Sequence, residues 1–106
     1  MGVDHAFDRF YSVLHYAIGS LDSVQERLAG VVAGISHLER DSFPDDETWD
    51  RFQSFMNENT GRAAKIDEGG IKSRRSQMSN AEATKGLQKA LGLFADIAEA
   101  YGRGHP

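Results

Sequence analysis

From Val3 to Leu38 the apolar residues of this chain fall at alternating steps of four and three: Val3, Phe7, Phe10, Leu14, Ala17, Leu21, Val24, Leu28, Val31, Ile35 and Leu38. A pattern of that period places every one of them on a single helix face, so the first third of the chain is helical and must bury that face against other helices. Tyr11, Ile18 and Val32 flank the seam. The stripe is therefore wider than a two-stranded coiled coil needs and suits a multi-helix bundle. The paired Glu and Lys that flank the seam of a dimeric zipper are absent.

The pattern also sets a length problem. A continuous helix over about 3–39 is roughly 54 Å long, whereas a compact chain of 106 residues has a radius of gyration near 13 Å and a diameter of very roughly 33 Å. Either the helix breaks, with Gly19-Ser20 the best place, or it stays whole and a second copy covers the overhang. A glycine costs about 1 kcal/mol inside a helix, and an exposed Leu or Phe forfeits about 1.5–3 kcal/mol of burial. That comparison favours one long helix in a homodimer, with Phe7, Phe10, Leu14, Leu21, Val24, Leu28, Val31 and Ile35 as the self-association seam. Gly30 and Gly34, four residues apart, allow another helix to approach closely, from within the chain or from a partner.

Further along, Ser42-Phe43-Pro44-Asp45-Asp46-Glu47 reads as a helix start, capped by Ser42 or Asp45, with proline in the entry turn and acids where the helix dipole favours them. A second helix is expected over about 43–60, with Trp49, Phe52, Phe55 and Met56 facing the core and Thr60-Gly61 as its stop. Gly69-Gly70 interrupts a polar stretch, and a mobile basic loop is expected over about 66–78. Ser79-Asn80-Ala81-Glu82 spells a capping box. A third helix follows to about 101, with the seam Ala83, Leu87, Ala90, Phe94, Ile97 and Tyr101, Leu91 and Ala98 beside it, and Gly102 at its end. Gly86, Ala90 and Gly92 offer room for the glycine-bearing segment of the first helix. No strand pattern appears. The expected fold is all-α: a single-domain small helical bundle, with one long N-terminal heptad-patterned helix and two shorter helices, completed by dimerisation.

Charge divides the chain. Residues 1–60 hold eleven acids against four arginines, a balance of −7, and residues 61–106 hold eight Lys and Arg against five acids, a balance of +3, which together give the net −4. Lys72, Arg74 and Arg75 are the densest basic group and the candidate contact for a protein partner or a nucleic acid. With a net acidic chain and no aromatic residues among those cations, nucleic acid is the less favoured of the two. The chain has no cysteine, which removes disulfides and thiolate chemistry and favours a reducing cytoplasm. No apolar run approaches membrane-spanning length.

Catalytic and metal signatures are sparse. His5, His15, His37 and His105 include neither a His-x-x-x-His pair nor a Glu-x-x-His pair, so no metal is expected. Neither a nucleophile elbow nor a phosphate-binding loop occurs, and no cofactor is implied. Arg9 precedes His15 by six positions, a spacing that resembles the Arg-x(4 to 6)-His signature of HEPN-type helical ribonucleases, in which the pair serves RNA cleavage across a dimer. In an unbroken helix the two side chains lie about 120° apart. The reading that follows is a non-enzymatic protein-protein interaction or regulatory module, an adaptor, inhibitor or small subunit. A nucleic-acid-binding regulator and a HEPN-like ribonuclease are the alternatives.

Overall fold

The computed structural model describes residues 2–60 and 78–104, and every regular element among them is helical. Four α-helices, α1 (Val3–Gly19), α2 (Val24–Ile35), α3 (Asp46–Thr60) and α4 (Asn80–Gly104), are joined by a short 3-10 turn at Arg40–Ser42 between α2 and α3. The radius of gyration is 13.3 Å. The all-α expectation holds.

The single helix expected over 3–39 is instead two helices, folded into an antiparallel hairpin at Ser20–Ser23. Polar side chains make the break. The Asp22 N–H donates to the Ser20 hydroxyl at 3.1 Å, and the Glu26 N–H donates to the Ser23 hydroxyl at 3.2 Å, so Ser23 caps α2. The hairpin lets both halves of the stripe bury against the same chain. Phe10, Val31 and Ile35 are fully buried, and Leu14 and Leu28 nearly so. Most of the proposed self-association seam is thus the core of one protomer. Leu21 alone is lost from it, fully exposed at the tip of the turn.

Glycine sets how closely these helices meet. A Cβ on Gly34 would lie closer than 3.0 Å to Val13 Cγ1, and one on Gly30 would lie 3.5 Å from Tyr16 Cε2. The Gly30/Gly34 pair is therefore the contact surface of α2 on α1, within the chain. Gly86 of α4 meets Leu28 of α2 in the same way, with a Cβ there 2.7 Å from Leu28 Cδ2.

Neither α1 nor α2 has a basic residue in its last turn, and each borrows one from the other. The Arg9 guanidinium of α1 donates to the Gly34 carbonyl at 3.0 and 3.3 Å, while Arg27 of α2 donates to the Ala17 carbonyl at 3.4 Å. Both carbonyls belong to helix ends that lack intrahelical partners, where a positive charge also complements the helix dipole.

Asp45, not Ser42, caps α3: one carboxylate oxygen accepts from the Thr48 N–H at 2.8 Å and the Thr48 hydroxyl at 2.7 Å. Those two bonds, the hydroxyl first, hold the Asp45 carboxyl below its ordinary value, with help from Arg40. The chain is helical from Asp46 rather than 43, because Pro44 and the buried Phe43 form the entry turn. The capping box of α4 is complete: Ser79 N–H donates to Glu82 Oε1 and Glu82 N–H to Ser79 Oγ, both at 3.1 Å. This helix continues past Gly102 to Gly104. It is also central, packing on α1, α2 and α3, which is why Leu93, outside the expected seam, is buried along with Ala83, Ala90 and Ile97.

Candidate docking surface

Helix α4 runs antiparallel to α1, and the line where they meet is not closed over. Phe7 stacks on Tyr101 with ring centroids 4.4 Å apart and touches Phe94 at 5.4 Å, and Tyr11 approaches Phe94 at 6.4 Å. Beyond Tyr11 the line continues into a groove of about 190 Å3 between the end of α1 and the first half of α4, walled by Leu14, Ala17, Ile18, Leu87 and Leu91. Ile18 is 80 % exposed, Tyr11 54 % and Leu91 53 %. The result is one apolar band on the surface, of a kind that marks contact with another molecule more often than isolated exposed leucines do.

The periodicity that builds α1 puts these residues outside. Tyr11 and Ile18 sit one position off the four-three seam, on the side turned toward α4 rather than α2, and Leu91 stands in the same relation to Leu87 and Phe94 on α4. Val32, which flanks the seam of α2 in the same manner, is buried instead. Asp8 and Asp4 precede Tyr11 by three and seven residues and share its side of the helix; both are exposed. On the α4 side the groove is edged by Thr84 and Gln88, and the rim beside Tyr11 is acidic.

Arg27 forms part of the groove wall. Its Nε is buried without a hydrogen-bond partner, and no carboxylate pairs with it among the described residues. By contrast, Arg40, Arg51, Lys89 and Arg103 each have one, in Asp46, Asp96, Glu58 and Glu99. Asp22 accepts a hydrogen bond from the Tyr16 hydroxyl at 3.0 Å through one oxygen and has no cationic partner there.

A second cleft, about 400 Å3, lies between α3 and α4 and is lined by Asp50, Arg51, Ser54, Glu58 and Lys89. Glu58 pairs with Lys89 and Arg51 with Asp96 there, so both cations of the lining face a carboxylate.

The other sequence candidates are dispersed. Arg9 is committed to the Gly34 carbonyl, while His15 packs its ring against Tyr11 with centroids 5.8 Å apart. Because α1 is unbroken between them, the HEPN-like pair does not converge. His5 and His37 do meet edge to face, at 5.4 Å. Desolvation, the Arg9 guanidinium and His5, in that order, lower the His37 pKa. Among the described residues no three His, Asp or Glu side chains are grouped to hold a metal ion, and no helix is long and apolar enough to cross a membrane. Lys72, Arg74 and Arg75 lie outside the described residues. Comparison of the chain with protein-family models, curated proteins and solved structures finds no match.

Proposed function

We infer that the protein is a non-enzymatic interaction module, an adaptor, inhibitor or small subunit of the cytoplasm, that docks a protein partner along the α1/α4 band. The observation that carries the reading is the continuity of the band: three large apolar side chains, each more than half exposed, line up with the partly buried Phe7 and Phe94 on two antiparallel helices. Such a surface takes the apolar face of an amphipathic helix, which would lie along the α1/α4 line with anchors at helical spacing. The acidic rim, Asp4 and Asp8, favours a partner helix flanked by Lys or Arg.

Capture from the native host with immobilised protein tests this. Wild-type protein is expected to retain a basic protein, with retention falling about tenfold or more, equivalent to about 1.4 kcal/mol, in a Tyr11→Ala/Leu91→Ala variant and, at low salt, in Asp8→Lys. A Gln53→Ala variant, altered at an exposed position of α3 outside the band, is expected to behave as wild type. Retention that none of the band substitutions changes would overturn the reading. So would recovery of RNA or DNA whose binding collapses between about 50 and 200 mM salt, the mark of phosphate contacts.

A further inference from the structure

We propose that the Leu21 end of the band is a self-recognition site, at which two copies of the chain exchange Leu21-Asp22 across a two-fold axis. Leu21 projects from the hairpin turn, fully exposed, three residues beyond Ile18 in the wall of the apolar groove. A knob and a hole side by side on one surface are self-complementary under two-fold rotation, so that each copy's Leu21 enters the other's groove. At about 190 Å3 the groove is smaller than the about 300–1,000 Å3 of small-molecule sites and suits one or two inserted side chains.

Charge fixes the orientation. Among the described residues Asp22, which follows the knob, has no cationic partner, and Arg27, in the groove wall, has no carboxylate partner and a buried Nε without a hydrogen bond. Asp22 in the turn and Arg27 in α2, five residues apart, do not pair within the chain. With Leu21 seated in the facing groove, each Asp22 meets the other copy's Arg27, and both unpaired charges are answered twice by one rotation. One inserted leucine and one ion pair from each copy make a small contact by the standard of stable interfaces, which bury roughly 1,200–2,000 Å2, so the expected dimer is a weak, micromolar one. It shares Ile18 and Leu91 with the partner reading, whereas Tyr11 and the acidic rim lie at the other end of the band and belong to the partner reading alone.

Sedimentation equilibrium at high micromolar concentration is the test. Wild-type protein is expected to approach twice the 11.7 kDa chain mass, and Leu21→Glu to sediment as a single chain with unchanged helicity. Asp22→Arg and Arg27→Glu are each expected to be monomeric alone, since like charges then face each other at both contacts. Mixed in equal amounts they are expected to recover the dimer, because both contacts regain opposite charges. Wild-type protein at the single-chain mass, a Leu21→Glu variant that dimerises as wild type does, or a mixture of folded variants that stays monomeric would each overturn the proposal. If Arg27→Glu fails to fold, Leu21→Glu and Asp22→Arg decide it. Tyr11→Ala is expected to leave the dimer intact, which separates this result from loss of partner capture.

Discussion

Replacing Gly34 with alanine tests the claim that glycine sets the α1/α2 distance. The added Cβ would fall closer than 3.0 Å to Val13 Cγ1, 3.5 Å from Val13 Cβ and 3.6 Å from Arg9 Nη2. Val13 is β-branched and held to one rotamer in a helix, and it is buried, so the clash must be relieved by moving the helices apart. Overpacking of this kind costs about 1–3 kcal/mol, against which alanine regains at most about 1 kcal/mol of helix propensity. The expected net loss is about 1–2 kcal/mol, which for a domain of this size lowers the thermal midpoint by roughly 4–8 °C per kcal/mol. Urea unfolding followed by circular dichroism measures it. The decisive step is the cycle with Val13→Ala, which removes the opposing methyls. In that background Gly34→Ala is expected to be neutral or stabilising, a coupling of at least about 1 kcal/mol. Equal effects in both backgrounds would refute the packing argument.

Gly102 has no neighbour within 4 Å of where a Cβ would stand, so Gly102→Ala is expected to stabilise by up to about 1 kcal/mol, with a rise in thermal midpoint as the readout. Arg9→Met keeps much of the aliphatic stem but leaves the Gly34 carbonyl without its charged donor; amide exchange in the last turn of α2 should accelerate, while α3 is unaffected. His37 binds its proton less readily folded than unfolded, so its contribution is present above its ordinary value of 6.5 and is lost as pH falls. Wild-type stability should therefore drop more steeply than that of His37→Asn between about pH 7 and pH 5, and parallel curves would count against this. Asp45 is displaced below 3.8, so the difference in thermal midpoint between wild type and Asp45→Ala should hold above that pH and vanish as pH falls through the folded-state value.

The four-three pattern identifies most core residues of the first third but favours an unbroken helix over the break at Gly19-Ser20, for one reason. Ala17, Leu21 and Val24 keep the phase across the turn, so periodicity alone cannot see that the chain reverses. The signal was present in another form: Ser23-Val24-Gln25-Glu26 has the same spacing as Ser79-Asn80-Ala81-Glu82, and both serines cap a helix. The energy comparison that favoured a continuous helix set one glycine against one exposed leucine. Of the seam residues the break exposes Leu21 alone, whereas a straight helix would leave its whole overhang uncovered. At the candidate site, Tyr11, Ile18 and Leu91 were legible as residues beside a seam, but not as exposed, since the same placement buries Val32. The crossed pairing of Arg9 with Gly34 and Arg27 with Ala17 joins residues 25 and 10 positions apart, and no local spacing rule encodes it.

That crossed pairing bears on the order in which the molecule assembles. The α1/α2 hairpin is closed by contacts between nearby residues, and each arginine reaches its carbonyl only when the two helices are already in register, so the hairpin is a self-checking unit with a small loop-closure cost. Helix α4 is fastened to it from much farther along the chain, through Gln25, whose side-chain amide donates to the Met78 carbonyl and to Asn80 Oδ1, 53 and 55 residues away. The hairpin thus supplies the template and α4 the latch: weakening Arg9 or Val13 is expected to slow folding, whereas truncating Leu93 is expected to leave folding speed nearly untouched and to hasten unfolding, which stopped-flow kinetics measures.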